Sequence, residues 1–260
     1  MSETLIVAGF HRSGTSLTTR LLRAAGLFIG DELLGALPSN PYGHFEDSEV
    51  VGFHDGLLKD NGLHWQLADP VVPFVDRTRW EQLEDLVRRR HAAHALWGFK
   101  DPRVCLFLPL WKHVVPNARV LLVFRHYADC AHSLERRHAE QLVDDFGPPQ
   151  VHRRFWREPD LALRMWLNYN APLLRFAAAY PDDVHVVSFS AVRSGHGIVG
   201  ALRRRWDLPL RPTSALEVFD PTITRDRTHP QPIADRSLTG RLEQMLFRLR
   251  HLEQGSLQRI

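Results

Sequence analysis

Four short apolar runs, each followed by residues at helical spacing, organise this chain. Leu5-Ile6-Val7-Ala8-Gly9-Phe10 is continuous rather than alternating, the pattern of a strand covered on both faces. A polar glycine turn follows. From Thr15 onward Leu17, Leu21, Leu22 and Ala25 share one helical face, which Gly26 ends. Comparable runs recur at Ala95–Phe99, Arg119–Phe124 and Val184–Phe189, each leading into helix-like sequence. Strands alternating with helices predict βαβ units and an α/β fold with a central, mainly parallel sheet between two helical layers.

The connecting stretches are more polar. Gly26 to Phe45 reads as a loop, Glu46 to Asn61 and Trp80 to His94 as helices. Residues 138–160 are charged, contain Pro148 and Pro149, and read as a lid or insertion. Leu161 to Tyr180 is helical, Asp207 to Pro232 is proline-rich and extended, and Ser237 to Gln254 is an amphipathic closing helix. No repeat or low-complexity tract interrupts the pattern. At roughly 150 residues per domain, a chain of 260 is best read as a single domain, 1–260.

Composition narrows the function classes. With 44% hydrophobic and 24% charged residues the chain is ordinary globular protein. A net charge of +3 is too small for a general nucleic-acid binder. Cys105 and Cys130 match no zinc spacing and sit in apolar stretches as buried thiols. The N-terminus lacks the features of a signal peptide and no apolar run is long enough to span a bilayer, so a soluble, cytoplasmic protein without membrane insertion is expected.

The first strand and helix are joined by Gly9-Phe10-His11-Arg12-Ser13-Gly14-Thr15-Ser16. Backbone amides in such a turn, together with the helix N-terminus, favour an anion. The spacing from Gly9 to Gly14 opens like a Walker A loop, but Thr15 stands where the Walker lysine would be and the cation moves forward to Arg12. A nucleoside-triphosphate enzyme uses that lysine on the β- and γ-phosphates. A P-loop kinase of small metabolites is therefore the second choice, and a nucleotide-binding module without turnover the third.

His11-Arg12-Ser13-Gly14-Thr15-Ser16 resembles the 5′-phosphosulfate loop of sulfotransferases, including bacterial ones, which use 3′-phosphoadenosine 5′-phosphosulfate (PAPS). A second motif agrees: Leu121-Leu122-Val123-Phe124-Arg125 closes the third strand and Ser133 follows two helical turns later, as in the family's grip on the 3′-phosphate. Gly98-Phe99-Lys100-Asp101-Pro102-Arg103 resembles the lysine motif beside the sulfuryl group, and Ser39 to Asp47 a Gly-aromatic-Glu element of bacterial members. Val186-Val187-Ser188-Phe189-Ser190 is similar to the late strand near the adenine. The resemblance implies a P-loop-like fold and a transferase that moves a sulfuryl group to a hydroxyl of a small-molecule, glycan or glycolipid acceptor. The product is 3′,5′-adenosine bisphosphate (PAP), and fixed cations stand in place of a metal.

The resemblance assigns His11, Arg12, Ser13, Gly14, Thr15, Ser16, Arg125, Ser133 and Ser188 to PAPS binding, with Arg225 and Arg227 in a late basic tract over the 3′-phosphate. Arg12 and Lys100 are the expected charge-stabilising catalytic groups. The general base of the cytosolic family is a histidine after the lysine, and here Lys100 is followed by Asp101 and Pro102 instead. Glu46 is the first candidate for that role, Asp101 the second, with His11 and His44 behind them.

Overall fold

The computed structural model describes residues 2–35, 43–218 and 231–259. Arg225 and Arg227, and the first part of the Gly-aromatic-Glu element, lie outside the described residues. Four parallel strands, β1 (Glu3–Ala8), β2 (Leu96–Lys100), β3 (Arg119–Phe124) and β4 (Val184–Ser188), form one sheet in the order β2-β1-β3-β4. The crossover from β1 to β2 carries α1 (Thr15–Ala24), α2 (Ser48–Asp60) and α3 (Arg77–Ala93). From β2 the chain passes through α4 (Val104–Val114) to β3 on the other side of β1. Then α5 (Tyr127–Val143), α6 (Pro149–Arg157) and α7 (Leu161–Ala179) lead to β4. The chain continues through α8 (Phe189–Arg193), α9 (Ile198–Trp206), α10 (Ala215–Val218) and α11 (Ser237–Leu257).

The continuous apolar strands are covered on both faces. Ile6, Ala8, Val120 and Leu122 join one core with residues of α2 to α7 and α11, whereas Leu5, Val7, Leu121 and Val123 join the other with α1 and α9. Successive residues alternate between the two because side chains on a strand point to opposite faces. Both sheet edges are closed. On β2, the Gly98 amide donates to the Phe28 carbonyl at 2.8 Å. On β4, the Val186 amide donates to Ser256 Oγ at 3.0 Å and the Ser188 amide to Glu253 Oε1 at 2.6 Å, both acceptors being carried by α11.

Two segments differ from the sequence expectation for local reasons. Helix α2 starts at Ser48 rather than Glu46, because the Asp47 carboxylate accepts the Glu49 amide at 2.9 Å and caps it. The stretch 138–160 is helical over most of its length: α5 runs on to Val143, and Pro148 and Pro149 open α6. Proline suits a first helical turn because its missing N–H has no partner there. His152 and Phe155 are buried, with His138 Nδ1 and His152 Nδ1 2.7 Å apart and the rings of His138 and Phe155 stacked at 4.6 Å. Cys105 and Cys130 are buried free thiols, as expected. Among the described residues no helix is long and apolar enough to cross a membrane.

Candidate active site

β1 is the point at which the crossovers diverge to β2 on one side and β3 on the other, and ligands of open parallel sheets bind outside the strand ends at such a point. The chain leaves β1 through a tight loop. Arg12 has φ 64°, in the left-handed region uncommon for a residue with a Cβ, and Gly14 has φ 91°. A Cβ on Gly14 would lie 2.2 Å from Phe189 Cδ2, so only glycine lets the loop rest on that ring. Gly14 also begins α1 without a side-chain cap, leaving the first amides of the helix without a side-chain acceptor. Ser13 serves the loop itself: its amide donates to the Phe10 carbonyl at 3.1 Å, and its hydroxyl lies 3.6 Å from Cys130 Sγ.

The loop borders a cavity of about 170 Å³ into which five cations converge, Arg12, Lys100, Arg125, Arg136 and Arg137, with Glu46 the only carboxylate among the described lining residues. Lys100, 1% exposed, donates to Glu46 Oε1 at 2.5 Å and to Ser16 Oγ at 3.3 Å. Burial pushes its amine below the ordinary lysine value while Glu46 pulls it back. Arg12 Nε donates to Ser133 Oγ at 3.0 Å. Burial first, then repulsion from Arg137, Arg125 and Arg136, pushes the Arg12 guanidinium down to about 10.

Arg125 lies over the Phe189 ring at 4.8 Å, with Asp129 3.7 Å away. Arg137 Nε is buried without a hydrogen-bond partner, and its Nη2 lies 3.4 Å from His44 Nε2. His44 is pushed down to about 3 by burial and by Arg137, Lys100 and Arg12. Among the described residues Lys100 is tightly paired with Glu46, Arg125 and Arg136 only loosely with Asp129 and Glu140, and Arg12 and Arg137 have no ion pair, a net positive lining that favours an anion.

No protein-family model matches the sequence, and no curated protein matches it significantly. Solved structures do match in fold. A sulfotransferase from Alicyclobacillus acidocaldarius superposes with a TM-score of 0.52 at 14% identity, over 98% of this chain and 96% of that one. The sulfotransferase domain of the curacin biosynthetic pathway superposes with a TM-score of 0.50 at 14% identity, over 95% and 98%. The fold is that of the sulfotransferases.

Within this sulfotransferase fold the residues singled out in sequence separate into groups. His11, Arg12, Gly14, Thr15, Ser16, Glu46, Lys100, Arg125 and Ser133 all line the one cavity. Ser188 lines a neighbouring cavity of about 340 Å³ that shares Arg125 and Phe189 with the first. There Ser188 caps α8, its Oγ accepting the Ala191 amide at 3.3 Å.

Asp101 does not reach either cavity. Fully buried, it accepts from His54 Nδ1 at 2.7 Å, from Arg103 Nε at 2.8 Å and from the Arg103 amide at 3.0 Å. Trp111 Nε1 donates to His54 Nε2 at 2.8 Å, so the imidazole hydrogen sits on Nδ1 and points to Asp101. Burial alone would raise the Asp101 carboxyl, but Arg103 and His54 hold it well below the usual carboxylate range. The expectation of Asp101 as a base is corrected on this geometry: its oxygens are engaged and face a structural network.

His11 lies beside Trp65, ring centroids 4.8 Å apart, and its Nε2 is buried without a hydrogen-bond partner. Burial and then Arg103 drive this imidazole well below its ordinary value. Sequence reasoning missed Arg136 and Arg137. The available signal was their position three and four residues after Ser133, which places them one turn further along the same side of α5.

Proposed function

We propose that this protein is a PAPS-dependent sulfotransferase acting on a hydroxyl of a small-molecule, glycan or glycolipid acceptor. The observation that carries the reading is the convergence of Arg12, Lys100, Arg125, Arg136 and Arg137 on one cavity with a single carboxylate. The residues fit such a nucleotide: among the described residues the half-buried Arg12 has a serine hydroxyl as its hydrogen-bond partner and no carboxylate, a state that an anionic ligand relieves.

When bound, PAPS supplies the sulfuryl group and, in one in-line displacement, PAP as the leaving group. Arg12 and the amides at the start of α1 hold the 5′ end and balance charge on the departing phosphate. Lys100 neutralises the sulfuryl oxygens. Arg125 offers its guanidinium and Ser133 its hydroxyl to the 3′-phosphate. The proton of the attacking hydroxyl goes to the Glu46 carboxylate, which lines the cavity beside Lys100. His44 and His11 are poorer bases here, because the surrounding cations and burial oppose an imidazolium. The Glu46 backbone is pinned by hydrogen bonding of its carbonyl to the Leu34 amide at 2.8 Å.

A thermal-shift titration without magnesium tests the reading, comparing PAP with ADP, ATP and AMP. At a hundred times its Kd, PAP should stabilise the protein by about 2.7 kcal/mol, and the other nucleotides by clearly less. Stabilisation by ATP that requires magnesium, with none from PAP, would overturn the proposal in favour of a kinase.

A further inference from the structure

The nucleotide reading, on which this inference rests, leaves one half-buried cation, Arg137, without a role. Arg12, Lys100 and the α1 amides serve the 5′ end, and Arg125 and Ser133 the 3′-phosphate. Arg137 lies four residues beyond Ser133 on α5, about 6 Å further along the helix axis. Its Nε is buried and has no hydrogen-bond partner among the described residues, and its Nη2 lies 3.4 Å from the ring of His44. Among the described residues no carboxylate lies within ion-pair distance of Arg137. Glu46 does act on it electrostatically, but Glu46 Oε1 is bonded to Lys100. Beside it, Arg136 also lines the cavity, and its pairing with Glu140 is long, 3.7 Å, and solvent-exposed.

A guanidinium buried without a counter-charge is costly unless a ligand completes it. The direction of Arg137 tells which ligand. Its guanidinium meets His44, two residues before Glu46, and all three line the same cavity, so it borders the space where the acceptor hydroxyl must sit to reach its base. We propose that Arg136 and Arg137 form an oxyanion subsite for the acceptor, so that the hydroxyl compound sulfated here already carries a phosphate, sulfate or carboxylate group. The planar donor fork of arginine matches such groups in a way that a lysine does not. A neutral alcohol, phenol or sugar would leave Arg137 unpaired.

Calorimetry on the full chain saturated with PAP tests this, with inorganic phosphate as the probe and Arg137→Gln and Arg136→Gln as variants. The expected result is phosphate binding to the PAP-loaded protein that Arg137→Gln weakens at least tenfold, with PAP affinity kept within threefold of wild type. Arg136→Gln should weaken phosphate less and serves if Arg137→Gln does not fold. Absence of phosphate binding, or binding that both variants leave within twofold, overturns the acceptor subsite and leaves the nucleotide reading intact. A tenfold loss of PAP affinity in Arg137→Gln places that residue in the nucleotide site and also overturns it. If wild-type protein fails to bind PAP, the nucleotide reading itself fails and the subsite falls with it.

Discussion

Two buried arginines of this molecule, Arg90 and Arg103, and two half-buried ones, Arg12 and Arg137, have opposite surroundings. Arg90 on α3 is 5% exposed and donates to Asp47 at 2.8 Å, to Glu49 at 3.1 Å and to Asp31. Arg103, before α4, is held by Asp101 and Asp55, and those carboxylates raise its guanidinium above the ordinary value. Arg12 and Arg137 face the cavity with hydroxyl and imidazole partners only, and both guanidinium groups are pushed down by burial. What separates the two sets, among the described residues, is whether carboxylates stand against the guanidinium.

The comparison breaks most visibly at Asp101. Asp101→Asn removes the buried partner of Arg103, leaving it only the exposed Asp55, and should cost about 3 kcal/mol of stability by urea unfolding. A loss under about 1 kcal/mol would mean that the Asp101 network is not structural. Arg12→Ala should behave in the opposite sense. It should lower kcat/KM at least 100-fold, about 2.7 kcal/mol, while leaving the Tm of the ligand-free protein equal to or above wild type. A marked drop in that Tm would place Arg12 among the structural arginines.

The smallest effect concerns pH. The folded value of His44, about 3, lies below its ordinary 6.5, so the unfolded chain takes up this proton first. The stability it confers is complete above pH 6.5 and is lost as pH falls toward 3. His44→Asn should flatten the dependence of stability on pH across that window by at most about 1.4 kcal/mol per pH unit, less for a ring that is partly exposed. Equal slopes in the two proteins would show that the cations do not hold His44 neutral.

Much of this arrangement was legible in the sequence. Each apolar run became a strand, because burial on both faces demands continuous apolar residues whatever the packing partners. The loop from Gly9 to Ser16 and the pair Arg125 and Ser133 stood out because their spacing ties them to a strand end and a helix start. Asp101 misled because adjacency to Lys100 in sequence says nothing about direction: at a strand end, successive side chains point to opposite sides. Lys100 enters the cavity, whereas Asp101 turns toward His54 and Arg103. Arg137 was hidden for a different reason. Among thirty arginines its type carries no information, and what marks it is the lack of a carboxylate nearby, which only the folded arrangement discloses.

The two side chains that α11 extends to β4, Ser256 and Glu253, occupy amide donors that a strand at the sheet margin would otherwise offer to any passing backbone. Helix α11 thus closes part of the sheet margin as well as contributing to the core, and fraying of its last turns would uncover these two donors.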